Sequence, residues 1–288
     1  MSVSPDISNL EQSRHTRASI VAGIFYPASA SELSESIGSL MGSLDLQTGG
    51  CQAIISPHGS LQYSGSIAAK AWAASSGFAA STIVILSPSH RCFEPGIFLP
   101  EARAFSVPNG VFKVDHRLVK QLVHCSTSVS LSDIPHFEDH SIEMQLVFAA
   151  RCFPEASILP IIVAGADDQE MDSLFNNLQF VIGENLGSTL FVITTNLAVD
   201  EDAAACHARS AAFVDLVEKG DARAIEALSE APPSFCGGRI VAAFLRSTFA
   251  YGMERKALGF IDSSPIAERG EPIVGYAAIG FLRRATWK

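Results

Sequence analysis

Four short runs in this chain are apolar at nearly every position: residues 53–56, 83–87, 158–164 and 190–194. A strand with one wet face alternates apolar and polar side chains, so an unbroken apolar run marks a strand covered on both faces. Covered strands need helices above and below them. Helical patterns lie between and after these runs, at 66–74, 115–123, 140–152, 169–182, 201–217 and 237–251. The order predicts an α/β fold, a three-layer α/β/α sandwich around a mainly parallel or mixed central sheet.

At 288 residues, with 48% hydrophobic and 17% charged side chains, the chain can bury a large core. No repeat, low-complexity tract or charged linker divides it. One domain over residues 21–288 is expected, preceded by a flexible tail over residues 1–20, where acids, amides and bases mix without an apolar stretch. Lys and Arg total 20 against 30 Asp and Glu, a net charge of -10 with no basic block, so nucleic acid is not an expected partner. The greasiest stretches, 157–166 and 189–199, fall short of the ~20 residues a membrane helix needs, so no membrane association is expected. Six cysteines without a C-x-x-C pair, and no signal or transit pattern, point to reduced thiols and a cytoplasmic location.

In such sheets ligands collect where strands end and loops leave the sheet. The run 53–56 leads into Pro57-His58-Gly59, and the run 83–87 into Pro88-Ser89-His90. Both strands therefore end in Ser-Pro and then present an imidazole, with proline restraining the backbone near each ring. The third candidate is Cys236, which stands where a loop meets the helix through Val241, Phe244 and Leu245. Free amide N–H groups and the positive helix end favour a thiolate there. Two neutral imidazoles and one thiolate suit a divalent metal, Fe(II), Zn or Cu, and three protein ligands leave coordination positions open.

A further cluster, Asp139-His140-Ser141-Ile142-Glu143, opens a helix. Asp139 is a good N-cap, and His140 and Glu143 are spaced to share a face. Capping explains the cluster, and support of the metal ligands is the functional reading beside it. The chain has no P-loop, no G-x-G-x-x-G after a strand, no G-x-S-x-G and no H-E-x-x-H. Nucleotide-driven and serine-hydrolase chemistry lose ground accordingly.

Six pieces in register from about Val21 to Leu282 carry a resemblance. They are the opening Ala22-Gly23-Ile24-Phe25-Tyr26-Pro27; Pro57-His58-Gly59 with Tyr63-Ser64-Gly65; Pro88-Ser89-His90; His140-Ser141-Ile142-Glu143; Cys236-Gly237; and Gly275-Tyr276-Ala277-Ala278. Together they resemble the Memo family, also called AmmeMemoRadiSam system protein B. The resemblance implies a fold similar to protocatechuate-type extradiol dioxygenases, whose iron is held by two His and a carboxylate, with Cys in the carboxylate's place. It also implies that His58, His90 and Cys236 hold the metal.

One departure bears on activity. After the run 190–194 the family pattern supplies an Asp and a His, whereas this chain reads Thr195-Asn196-Leu197-Ala198-Val199. Asn196 keeps the shape without the charge, and Val199 cannot carry a proton. Cys236, His140 and Asn196 are the residues expected to take part in any chemistry. The leading reading is a Memo-like metal-binding protein of dioxygenase-like fold, a non-haem iron oxidoreductase if it is an enzyme. A non-enzymatic module that binds a peptide or protein in the same pocket is the alternative, and a hydrolase using Cys236 as nucleophile is a further one. The expected occupant of the pocket is a small molecule or a peptide, and a homo-oligomer is compatible with the sequence.

Overall fold

All four apolar runs form strands, and they lie side by side. The structure, a computed structural model, describes residues 15–42, 44, 50–92, 94–230 and 235–283. In chain order the strands are β1 (Thr16–Arg17), β2 (Ala53–Ser56), β3 (Thr82–Pro88), β4 (Gly96–Leu99), β5 (Ala104–Val107) and β6 (Gly110–Lys113). They continue with β7 (Val129–Leu131), β8 (Ser157–Ala164), β9 (Thr189–Thr194), β10 (Val199–Asp200), β11 (Met253–Asp262) and β12 (Ile273–Arg283). A nine-stranded sheet runs β10-β12-β2-β9-β3-β8-β4-β7, with β11 also on β12. Strands β2, β9, β3 and β8, the four apolar runs, are its parallel centre. β12 and β4 flank that centre antiparallel, so the sheet is mixed.

Helices cover both faces, giving the expected sandwich. Ala30–Met41, Leu61–Ser75 and Ser141–Cys152 pack together on one side; His116–Cys125, Asp168–Ile182, Ala203–Lys219, Ala222–Glu230 and Gly238–Arg246 form the other layer. Local chemistry sets several ends. A reciprocal capping box joins Asp167 and Glu170 at the start of Asp168–Ile182. Asp202 caps Ala203–Lys219, which ends at Gly220 in the left-handed region. The Ala30–Met41 helix, absent from the expectations above, starts on the Ser29 cap and buries Leu33, Ile37 and Met41 at helical spacing.

Two expectations need correction. The last helix was expected over 237–251 but stops at Arg246, because Ser247 turns extended and its hydroxyl bonds to the Phe244 carbonyl, which lets Phe249 pack on Phe191 at 4.4 Å. Of the tail expected over residues 1–20, residues 1–14 lie outside the described part. The expectation of a loose segment fails for Thr16–Arg17, which pair in parallel with Ala104–Phe105 in a small second sheet, β1-β5-β6. Arg17 is only 2% exposed.

Arg17 also touches the backbone of His136, whose ring is buried and hydrogen-bonded to the Phe98 carbonyl through Nε2 at 3.1 Å. Burial pushes the His136 pKa down to about 3. Below about pH 6.5 the unfolded chain therefore takes up a proton that the folded one refuses, and stability is lost as pH falls from about 6.5 towards 3. Urea titrations across that window should show a shallower loss for His136→Gln than for the wild type; equal slopes would remove His136 from the account.

Candidate metal centre

Parallel register brings the ends of β2, β9 and β3 to one edge of the sheet, with β9 in the middle. His58 leaves β2 and His90 leaves β3, so the two rings converge over the end of β9. Their centroids are 5.0 Å apart. Cys236 joins them from the loop before the Gly238–Arg246 helix, with Sγ 3.5 Å from His58 Nε2. One donor atom from each of His58, His90 and Cys236 falls within 4.8 Å of the others. The three residues singled out from sequence are therefore together.

Each ligand is aimed by its neighbours. His58 is fully buried; its backbone N–H donates to Asn196 Oδ1 at 3.0 Å, and its Nδ1 lies 2.8 Å from Thr194 Oγ1. Gln145 fastens the same corner, donating to Thr194 Oγ1 and the Pro57 carbonyl while accepting from Trp72 Nε1. His90 donates from Nδ1 to Asp139 Oδ2 at 2.9 Å, and its backbone N–H reaches the same oxygen at 2.8 Å. A carboxylate only accepts, so Nδ1 carries the proton and Nε2 is left to face the centre.

Asp139 is not the N-cap expected: that position falls to His140, which makes no side-chain cap bond, because Asp139 ends the preceding Ile134–Glu138 helix. The second Asp139 oxygen accepts the Ser141 N–H at 2.8 Å, so one carboxylate serves the helix start and the His90 ring at once. The His90 pair holds the Asp139 carboxyl well below the usual range despite burial. Burial pulls His90 down, but Asp139 and Cys236 outweigh it and raise His90 to about 10. Glu143 does not share the site face with His140; it is buried against Arg17 and Tyr26.

The Cys236 thiol is also held down, though not mainly by the helix end. Burial pushes it up, and the His58 and His90 rings more than offset that. The amide that reaches Sγ is that of Asn196, at 3.2 Å. Gly237 permits this approach: a Cβ there would stand 2.6 Å from the Thr195 Cβ and 2.8 Å from the Thr194 carbonyl oxygen. Any side chain at 237 would push the sulfur off the end of β9.

His140 completes the arrangement without joining the donor set. Its ring stacks on His90 at 5.5 Å and meets Phe25 edge-on at 4.7 Å. Burial, then the nearby His58, push its pKa down to about 4, so it is neutral at neutral pH. Val199 lies outside this group at the short strand β10, paired to Val274. A cavity of about 210 Å³ opens beside Cys236, walled by Pro88, Val163, Phe235 and Ile240 and charged by Glu226, Glu230 and Arg239.

The donor set fits a metal ion. Bonds of about 2.3 Å to sulfur and about 2.0–2.1 Å to nitrogen give a tetrahedral edge of about 3.5 Å, the Sγ to Nε2 separation found here. Both imidazoles have a partner for Nδ1, the arrangement that directs Nε2 at a metal. The cluster can therefore hold a metal through His58, His90 and Cys236.

Along its length the chain matches the family described as Memo-like protein over residues 17–280. The chain belongs to the Memo family. Curated relatives agree: a MEMO1 family protein of Nitrosopumilus maritimus is 26% identical across 92% of this chain and 99% of its own length. One of Aeropyrum pernix is 28% identical across 90% and 96%. One of Pyrococcus furiosus is 27% identical across 93% and 99%. Among the described residues of this Memo-family chain, no helix is long and apolar enough to cross a membrane.

Sequence reasoning missed Thr194, Gln145 and Arg17. Thr194 carried a signal, as the last residue of the strand between the two His-bearing strands. Gln145 lies on a helix whose face could not be assigned in advance, and Arg17 fell in the presumed tail.

Asp139→Asn tests the His90 tether. The His90 and Ser141 backbone N–H groups and the His90 Nδ1–H all donate to its oxygens, so an amide that turns its own NH2 towards any of them loses that bond. Metal affinity should fall by roughly 10–100-fold with the fold retained, as measured by competition against a chromophoric chelator. Unchanged affinity would show that the tether does not matter to the ligand.

Proposed function

We propose that this Memo-family protein is a mononuclear metal protein, similar to AmmeMemoRadiSam system protein B and dioxygenase-like in fold, and that it works as a non-haem iron oxidoreductase. The observation that carries the reading is the convergence of His58, His90 and Cys236, each aimed by its own partner. Fe(II) is the ion of choice, with Zn or Cu as substitutes that imidazole and thiolate also accept. Bound there, the ion would supply Lewis acidity and redox chemistry at its open positions.

The chain's own residues divide the remaining work. Cys236 and its cavity offer room for a small molecule or peptide end. His140, a neutral ring packed against His90, is placed to hydrogen-bond a bound ligand. Asn196 positions rather than reacts: its side-chain oxygen is engaged by the His58 N–H, and its own amide faces the sulfur.

Elemental analysis of protein purified under reducing, chelator-free conditions tests the metal, with about one ion per chain expected. An oxygen-consumption screen of catechols and small metabolites tests the activity. Metal without turnover on any of them would leave the non-enzymatic binding module in place of the oxidoreductase; no metal would sink the metal protein.

A further inference from the structure

Beside the metal centre, a second and chemically different pocket of about 210 Å³ is lined by Tyr63, Ser263, Glu271, Pro272, Val274 and Tyr276. We propose that it binds the ammonium group of a small organic cation. β12 runs antiparallel to β2, so its beginning, which carries Val274 and Tyr276, lies at the edge where β2 delivers His58. Tyr276 is 4% exposed, and its hydroxyl makes no hydrogen bond among the described residues. That hydroxyl lies against Gly59: a Cβ on Gly59 would stand 3.2 Å from it, so glycine next to a metal ligand keeps room for the tyrosine.

The lining selects for positive charge. Two tyrosines line the pocket, and aromatic rings attract a cation and gain nothing from an anion. Glu271 adds a full negative charge; it accepts from the Tyr63 hydroxyl at 3.4 Å and from the Glu268 N–H at 2.9 Å, and forms no ion pair among the described residues. No basic side chain lines the pocket. Ser263 spends its oxygen on the Val274 N–H and leaves its own proton to a polar substituent. The size favours a compact head over a long chain, and the net charge of -10 draws cations to the surface.

Titration calorimetry on the full chain, with ionic strength matched by sodium chloride, tests this with choline and its uncharged shape-match, 3,3-dimethylbutan-1-ol. Choline should bind saturably and at least about tenfold more tightly than the alcohol, about 1.4 kcal/mol. Glu271→Gln at an exposed position and Tyr63→Leu at a half-buried one should each weaken choline by about tenfold while metal content stays at the wild-type level. Equal affinity for the two probes, no saturable choline binding, or choline binding untouched by both variants would overturn the proposal. Tighter binding of an Nα-acetylated, amidated lysine than of choline would assign the pocket to a peptide side chain and overturn the small-molecule part. Because metal content is read separately, failure here is distinguishable from failure of the metal centre.

Discussion

Cys236→Ser should leave the protein folded and nearly empty of metal after a chelator-free, reducing purification. Losing a partner that merely orients a ligand already costs roughly 10–100-fold in affinity, and losing the ligand itself costs more. Serine keeps the shape and the contacts to Thr195 and Asn196, so the fold has no reason to change. Its hydroxyl, however, stays protonated and is a poor ligand for iron, zinc or copper beside two imidazoles. Metal per chain, read by plasma mass spectrometry against wild type, should drop to a small residue. The same sulfur separates the metal reading from a nucleophilic one. Held down by two imidazoles, Cys236 should react quickly with iodoacetamide in the metal-free protein, and Fe(II) or Zn should protect it. Full metal content in the serine variant, with labelling indifferent to added metal, would replace the metal protein by a cysteine nucleophile.

The centre of the fold was legible because its signal is strong and local. Strands covered on both faces leave unbroken apolar runs, and 53–56, 83–87, 158–164 and 190–194 became β2, β3, β8 and β9 with ends shifted by a residue or so. The sandwich follows from those four. Its rim was harder: β4 and β7 are short, three or four residues each, and the β11–β12 hairpin is built partly from half-exposed residues with no clean alternation. The metal ligands were legible for a related reason, since two parallel strands ending in the same Ser-Pro must deliver their next histidines to one edge. What aims them was not. Asp139 reads as a helix cap, and nothing local says that its other oxygen reaches His90, 49 positions away. Thr194 and Gln145 likewise act through contacts across 136 and 88 positions. Such pairings depend on register between elements, which no window of the chain contains.

Arg17→Met should cost about 3–5 kcal/mol of stability, because it strands a buried carboxylate. Arg17 and Glu143 are 2% and 0% exposed and paired to one another. Methionine fills the stem's volume but leaves the Glu143 charge with only the Ile20 and Val21 N–H groups and the Tyr26 hydroxyl. The melting midpoint should fall by on the order of 10 °C. Adding Glu143→Gln to the same chain should recover part of the loss, since a neutral amide needs no counter-charge; a double variant no better than the single would mean that packing, not charge, sets the cost. The effect should also reach the metal centre. Arg17 Nε and Nη2 donate to the carbonyls of His136 and Asp139, at 2.9 and 2.7 Å, and so hold the turn that presents the Asp139 carboxylate to His90. Metal affinity measured well below the melting temperature should therefore weaken in Arg17→Met although Arg17 touches no ligand. Unchanged affinity in a destabilised variant would confine Arg17 to the fold.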